Sequence, residues 1–143
     1  MYNEPQSTSL SYFNIQPWES EETKKILIVD DDADFRNVMT EYLEHQGYTV
    51  MSASCGQEAL RLLSADTDDL PSLILLDYLM PLEDGCQFHI RLREQEIFSN
   101  IPTVMVTGYV LTSQQRQGVK GVLMKPFDWS ELDEIVEHII EEN

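Results

Sequence analysis

The segment "KKILIVDDDADF", residues 24–35, sets four aliphatic residues directly against Asp30, Asp31, Asp32 and Asp34. An acidic run by itself marks a solvated face or tail. This one is fastened to a run apolar enough to be buried on both sides, the pattern of a strand inside a parallel sheet. The charge is therefore carried to the end of a core strand.

Similar aliphatic runs recur at residues 73–76, 103–106 and 122–124, with a weaker one at 48–53. Between them lie helical spacings: Phe35, Val38, Met39, Tyr42 and Leu43 fall at i, i+3, i+4, i+7 and i+8, as do Leu132, Ile135, Val136, Ile139 and Ile140. Two further helices are predicted at 57–64 and 87–94. The first helix should start with Asp32 as its N-cap and Asp34 in its first turn, where the helix dipole favours a carboxylate. It should end at "HQGY", where Gly47 can take the left-handed C-cap conformation. In "DWSELDE", Ser130 with Asp133 three residues on resembles a capping box and is expected to open the last helix. Met80, Pro81, Asp84 and Gly85 should form the turns before the third helix. Five strands alternating with helices predict an α/β fold, a parallel sheet with helices on both faces.

Composition narrows the function. A chain of 143 residues has room for one domain with a full core. Nine Lys and Arg against 26 Asp and Glu give a net charge of −17, which repels a phosphate backbone, so direct nucleic-acid binding is not expected. The apolar runs are far shorter than the ~20 residues of a bilayer span, and the N-terminus has no basic start or apolar stretch, so a cytoplasmic protein without membrane insertion is expected. Cys55 and Cys86 lack metal-ligand or disulfide spacing and read as reduced packing residues. His45, His89 and His138 read as surface or boundary residues of their helices. Residues 1–23, polar and acidic with Tyr12, Phe13, Ile15 and Trp18 interspersed, read as an N-terminal extension, loosely packed or serving as a docking arm.

In an open α/β sheet, ligands bind outside the carboxyl ends of the strands. The residues there are Asp30 and Asp31 after the first run, Asp77 after the third, Thr107 after the fourth, and Lys125 with Pro126 after the fifth. Three neighbouring carboxylates repel one another, and a hard divalent cation such as Mg²⁺ relieves this. Lys125 can meet one phosphoryl oxygen as a point charge and Thr107 another as a hydroxyl donor. Since an Asp carboxylate can be a nucleophile for phosphoryl groups, the parts suit Mg²⁺-assisted transfer onto an aspartate.

With "ILIVDDD", "LILLDYLMPLEDG", "VMVTG" and "LMKPF" in this order, the chain resembles the receiver domain of two-component response regulators, of the single-domain chemotaxis type, over residues 24–143. The resemblance implies a flavodoxin-like, doubly wound, five-stranded sheet in the order 2-1-3-4-5. It implies Asp77 as phosphoacceptor and Asp30, Asp31, Asp77 and the main-chain carbonyl of Leu79 as Mg²⁺ ligands. Thr107 and Lys125 would sense the phosphoryl group, and the Lys125–Pro126 bond would be cis. The implied partners are a sensor histidine kinase or a histidine phosphotransfer protein as donor and a downstream protein the sequence does not name, with a homodimer open. The chemistry would be self-catalysed phosphotransfer and slow autodephosphorylation only. No output domain is expected after Asn143, so the signal is expected to leave by protein–protein contact.

The chain also departs from this pattern. Val122 stands three residues before Lys125, where the family often has a switching Phe or Tyr, and Tyr109 is a candidate substitute. The interval from Thr107 to Lys125 is about one helical turn shorter than usual, so the fourth helix is expected to be short and polar or absent near 112–117. Leu79 puts an apolar side chain beside the acceptor, and Gly108 leaves the entrance open. Two other readings stand beside the phosphoacceptor: a receiver-like interaction module that does not switch, and a phosphohydrolase of haloacid-dehalogenase type using the D-x-D spacing in "DDDAD". The last has no use for Asp77.

Overall fold

Every aliphatic run forms a strand, and the strands lie side by side in one parallel sheet. The structure is a computed structural model and describes residues 23–142; Tyr12, Phe13, Ile15 and Trp18 of the extension, expected to pack loosely or else to serve as a docking arm, lie outside the described residues. Along the chain run β1 (Lys25–Val29), α1 (Ala33–His45), β2 (Thr49–Ala53), α2 (Gly56–Ala65), β3 (Leu73–Asp77), α3 (Gly85–Glu94), β4 (Thr103–Thr107), β5 (Gly121–Met124) and α4 (Trp129–Glu141). The sheet order is β2-β1-β3-β4-β5, and each neighbouring pair is parallel. This is the flavodoxin-like order expected above.

The period of two along each strand sorts the core into two layers. Ile26, Ile28, Leu73, Leu75, Val104 and Val106 face one way, against Met39 and Leu43 of α1 and Leu132, Val136 and Ile139 of α4. Leu27, Val29, Ile74, Leu76 and Met105 face the other, against Ala59 and Leu63 of α2 and Phe88 and Leu92 of α3. Because β3 is buried along its whole length, truncating Leu73, Leu75 or Leu76 to Ala should cost about 2–5 kcal/mol.

Helix ends follow local chemistry, with one correction. Asp32 caps α1 by accepting from the backbone N–H groups of Asp34 and Phe35, and Gly47 takes φ +100° just past its end. Asp84 caps α3 in a reciprocal box with Gln87. The last helix, however, starts two residues earlier than the Ser130 and Asp133 pattern suggests. Its N-cap is Asp128, which accepts from the backbone of Glu131 while Glu131 reaches back to the Asp128 N–H. Trp129 is already in the first turn, stacked on Tyr42 of α1 with ring centroids 4.0 Å apart. Ser130 is reduced to a donor to the Asp128 carboxylate.

Between β4 and β5 there is no helix. Residues 113–118 are successive turns, so the shortened interval removes the fourth helix of the expected pattern outright. His89 also departs from expectation. It is 5% exposed, buried on α3 beside Phe88, because the turns that replace the helix bring Gly118 down over its ring. His45 and His138 are exposed as predicted.

Candidate functional site

Strand register assembles the site. Val29 pairs with Leu76, which sets Asp30 beside Asp77 at the ends of β1 and β3. Asp77 pairs with Val106, and Thr107 pairs with Met124, which brings Thr107 and Lys125 to the same edge. Residues distant in sequence thus meet where the strands end.

Carboxylate oxygens of Asp30, Asp31 and Asp77 all lie within 4.8 Å of one another. Asp30 and Asp77 are 2% and 8% exposed, whereas Asp31 is open to solvent. The Lys125 ammonium donates to Asp30 Oδ2 at 3.1 Å and lies 3.8 Å from Asp77 Oδ1. It also sits 4.2 Å from the centre of the Phe35 ring, a cation–π contact that holds it over the acidic group. Asp30 is fixed further by the backbone N–H of Asp32, which donates to Oδ1 at 2.9 Å. The Arg36 guanidinium donates to the Asp30 carbonyl at 2.6 Å.

Desolvation, with the negative charge of Asp30 next, pushes Asp77 up to about 6; Lys125 pulls the other way, Asp31 adds to the rise, and the backbone N–H of Leu79 opposes it. Asp77 therefore ionises near neutrality and is more basic than an ordinary carboxylate. Thr107 is fully buried; its hydroxyl oxygen accepts from the Tyr109 N–H at 3.0 Å, and its carbonyl accepts from the Lys125 N–H at 2.8 Å. The Lys125–Pro126 peptide is cis.

Asp30, Asp31, Asp77 and Lys125 line an open cleft of about 580 Å³, with Leu79, Met80, Pro81, Gly108 and Tyr109 on its walls. Leu79 is 55% exposed at the rim, and nothing stands within 4 Å of where a Gly108 side chain would begin. The loop below is closed by the Gly85 N–H, which donates to the Tyr78 carbonyl at 2.6 Å. A side chain on Gly85 would strike the Asp77 carbonyl oxygen, so this close approach needs glycine.

Of the site residues predicted after strands, Asp30, Asp31, Asp77 and Lys125 line the cleft, whereas Thr107 ends β4 at the same sheet edge but is fully buried. Asp32 also lines the cleft, but its carboxylate accepts from the backbone of Asp34 and Phe35 as the cap of α1. Sequence reasoning missed Phe35 and Arg36 as supports of Lys125 and Asp30. Phe35 is on the apolar face of α1 and carried only a packing signal; Arg36 carried none.

The donor set suits a hard divalent cation: three converging oxygens, two of them buried and mutually repelling, beside one exposed carboxylate and open space for water. Comparisons with known proteins agree with this geometry. A family profile described as "Response regulator receiver domain" matches residues 26–137. The response regulator Rre1 of a Synechocystis strain is 35% identical over 120 residues, covering 80% of this chain and 51% of that protein. A probable transcriptional regulator, ycf29, of Pyropia yezoensis is 33% identical, covering 81% of this chain and 53% of its own length. The chain spans about half the length of these curated relatives. Among solved structures, chemotaxis protein CheY4 of Vibrio cholerae superposes with a TM-score of 0.76 at 28% identity, covering 82% of this chain and 99% of that one. TrrA of Thermotoga maritima, solved in complex with Mg²⁺ and BeF, gives 0.73 at 26% identity over 82% of this chain and 99% of that one.

Proposed function

Because the chain belongs to the response regulator receiver domain family of two-component signalling, we propose that it accepts a phosphoryl group on Asp77 from a phosphohistidine of a sensor kinase or phosphotransfer protein. The observation that carries the reading is the convergence of Asp30, Asp31 and Asp77 with Lys125 bridging two of them.

Asp30, Asp31, Asp77 and the Leu79 carbonyl would hold Mg²⁺. Bound there, the ion would neutralise the carboxylate cluster and balance charge on the phosphoryl oxygens. Asp77 attacks phosphorus as the ionised carboxylate, the form that a cation held by Asp30 and Asp31 would favour by offsetting their repulsion. The new O–P bond replaces the P–N bond of the donor, whose imidazole keeps the electron pair and takes a proton. Lys125 exchanges part of its contact with Asp30 for a phosphoryl oxygen, and the Thr107 hydroxyl turns its hydrogen to another. Because the Thr107 backbone is bonded to that of Lys125, movement of one is felt by the other.

A second reading rests on Val122. It is partly buried against the layer containing Leu27, in the place where the family often switches an aromatic ring, and no helix follows β4. A receiver that binds partners without switching would look the same.

Beryllium fluoride, a phosphoryl mimic, tests the site. With Mg²⁺ it should shift the amide resonances of Asp77, Thr107 and Lys125 saturably, and not in Asp77→Asn; no shift in the wild type would overturn the proposal. If only those residues move and the 108–120 amides stay put, the non-switching module is favoured.

A further inference from the structure

At the opposite ends of the strands lies a second polar cavity, of about 190 Å³, walled by His89, Arg93, Ser99, Asn100, Gly118 and Lys120 among others. Asn100 precedes β4 and Lys120 precedes β5, so the length of a strand, ~15 Å, separates this cavity from the acidic cleft.

Its walls carry two cations and no carboxylate. That is unusual in a chain with nine basic residues against 26 acidic ones. Some basic side chains find carboxylates nearby: Lys25 pairs with Asp69, and Arg91, two positions before Arg93 on the same helix, pairs with Glu83. Among the described residues, no hydrogen bond or ion pair engages the side chains of Arg93, Lys120 or His89. The imidazole of His89, 5% exposed and without a protein partner, lines this cavity and has a polar atom to offer whatever enters it. Burial, together with neighbouring Arg93, holds His89 neutral, leaving one N–H to donate.

The cavity is also built around the guanidinium. Gly118 has φ +85°, and a side chain there would collide with Arg93 Nη1 and approach His89 Cε1 at 3.3 Å. Only glycine lets the turn lie this close. Against about 30 Å³ for one water, the space admits a compact ion with part of its hydration.

We infer that this cavity is a binding site for a compact phosphate-class oxyanion, held by Arg93, Lys120 and the imidazole of His89. A tetrahedral oxyanion offers enough oxygens for a guanidinium fork, an ammonium and an imidazole N–H at once. The anion ties α3 to the turns between β4 and β5, which lead from Thr107 to Lys125. The group is either the free ion or the terminal phosphate of a small ester.

The full chain in EDTA, titrated with inorganic phosphate at constant ionic strength set by chloride, tests this through the His89 imidazole resonances. Expected is a saturable shift, weakened about tenfold by Arg93→Gln and by Lys120→Gln. Glycerol phosphate in place of inorganic phosphate separates the sources: equal or tighter saturation assigns an ester, and saturation by phosphate alone assigns the free ion. A drift no larger than that given by chloride, or wild-type affinity in either variant, overturns the site. Should Arg93→Gln unfold, Lys120→Gln still decides, because the exposed Lys120 side chain makes no bond that the fold needs.

Discussion

Lys125 lies 3.1 Å from Asp30, across 95 residues of sequence, and this ion pair fastens the end of β5 to the end of β1. Asp30 is buried and Lys125 only partly so. The pair therefore holds the cleft together while leaving its cation free to turn toward a new anion.

Replacing Lys125 by Met should cost about 1–3 kcal/mol in metal-free protein, since it strands a buried carboxylate, the loss being moderated by the partial exposure of the lysine. Urea unfolding in EDTA measures this. Added Mg²⁺ should recover part of the loss by compensating Asp30 directly.

The raised pKa of Asp77 sets a pH dependence. In the unfolded chain it ionises near 3.8, in the fold near about 6. Between these values the fold keeps a proton that the unfolded chain has lost. The stabilising contribution is full below about 3.8 and is lost as pH rises through about 6. Asp77→Asn has no such loss. Relative to wild type in EDTA, it should gain about 1–2 kcal/mol on going from acid to neutral pH, discounted for solvent access to the cleft. A stability difference that does not change with pH would count against the burial of the charge.

Metal affinity divides differently. Asp31 is exposed and bears little fold, so Asp31→Ala should leave the melting temperature in EDTA nearly unchanged and abolish most of the rise produced by Mg²⁺. Thermal melts with and without the ion distinguish this from a merely structural effect.

The α4 cap yields a test free of the site. Asp128→Ala should lower the melting temperature clearly more than Ser130→Ala, because Asp128 accepts from the helix backbone and Ser130 does not. The reverse order would restore the Ser130 cap.

Leu79 predicts the lifetime of the modified state. An apolar side chain at the cleft rim gives an attacking water no hydrogen-bond partner, so the aspartyl phosphate should decay slowly, and Leu79→Asn should hasten it severalfold. Phosphate release from purified protein reads both rates.

How far the sequence reaches can be judged residue by residue. Asp30, Asp77, Thr107 and Lys125 were legible because each follows an aliphatic run, and parallel strands bring such ends to one edge. Phe35 was legible only as a core residue: its contact with Lys125 depends on the packing of α1 across the end of β5. His89 was misread because its burial comes from the turns around Gly118, which lie far along the chain and carry no periodic signal. The Ser130 cap failed because Asp128 and Glu131 form the same pattern two residues earlier, with the better-matched glutamate.

The central claim concerns one oxygen atom of Asp77. Intact-mass spectrometry after incubation with Mg²⁺ and a small phosphodonor should reveal a single phosphoryl adduct on the wild type, absent in EDTA and absent from Asp77→Asn. An unmodified wild type, or an undiminished adduct on Asp77→Asn, would contradict it.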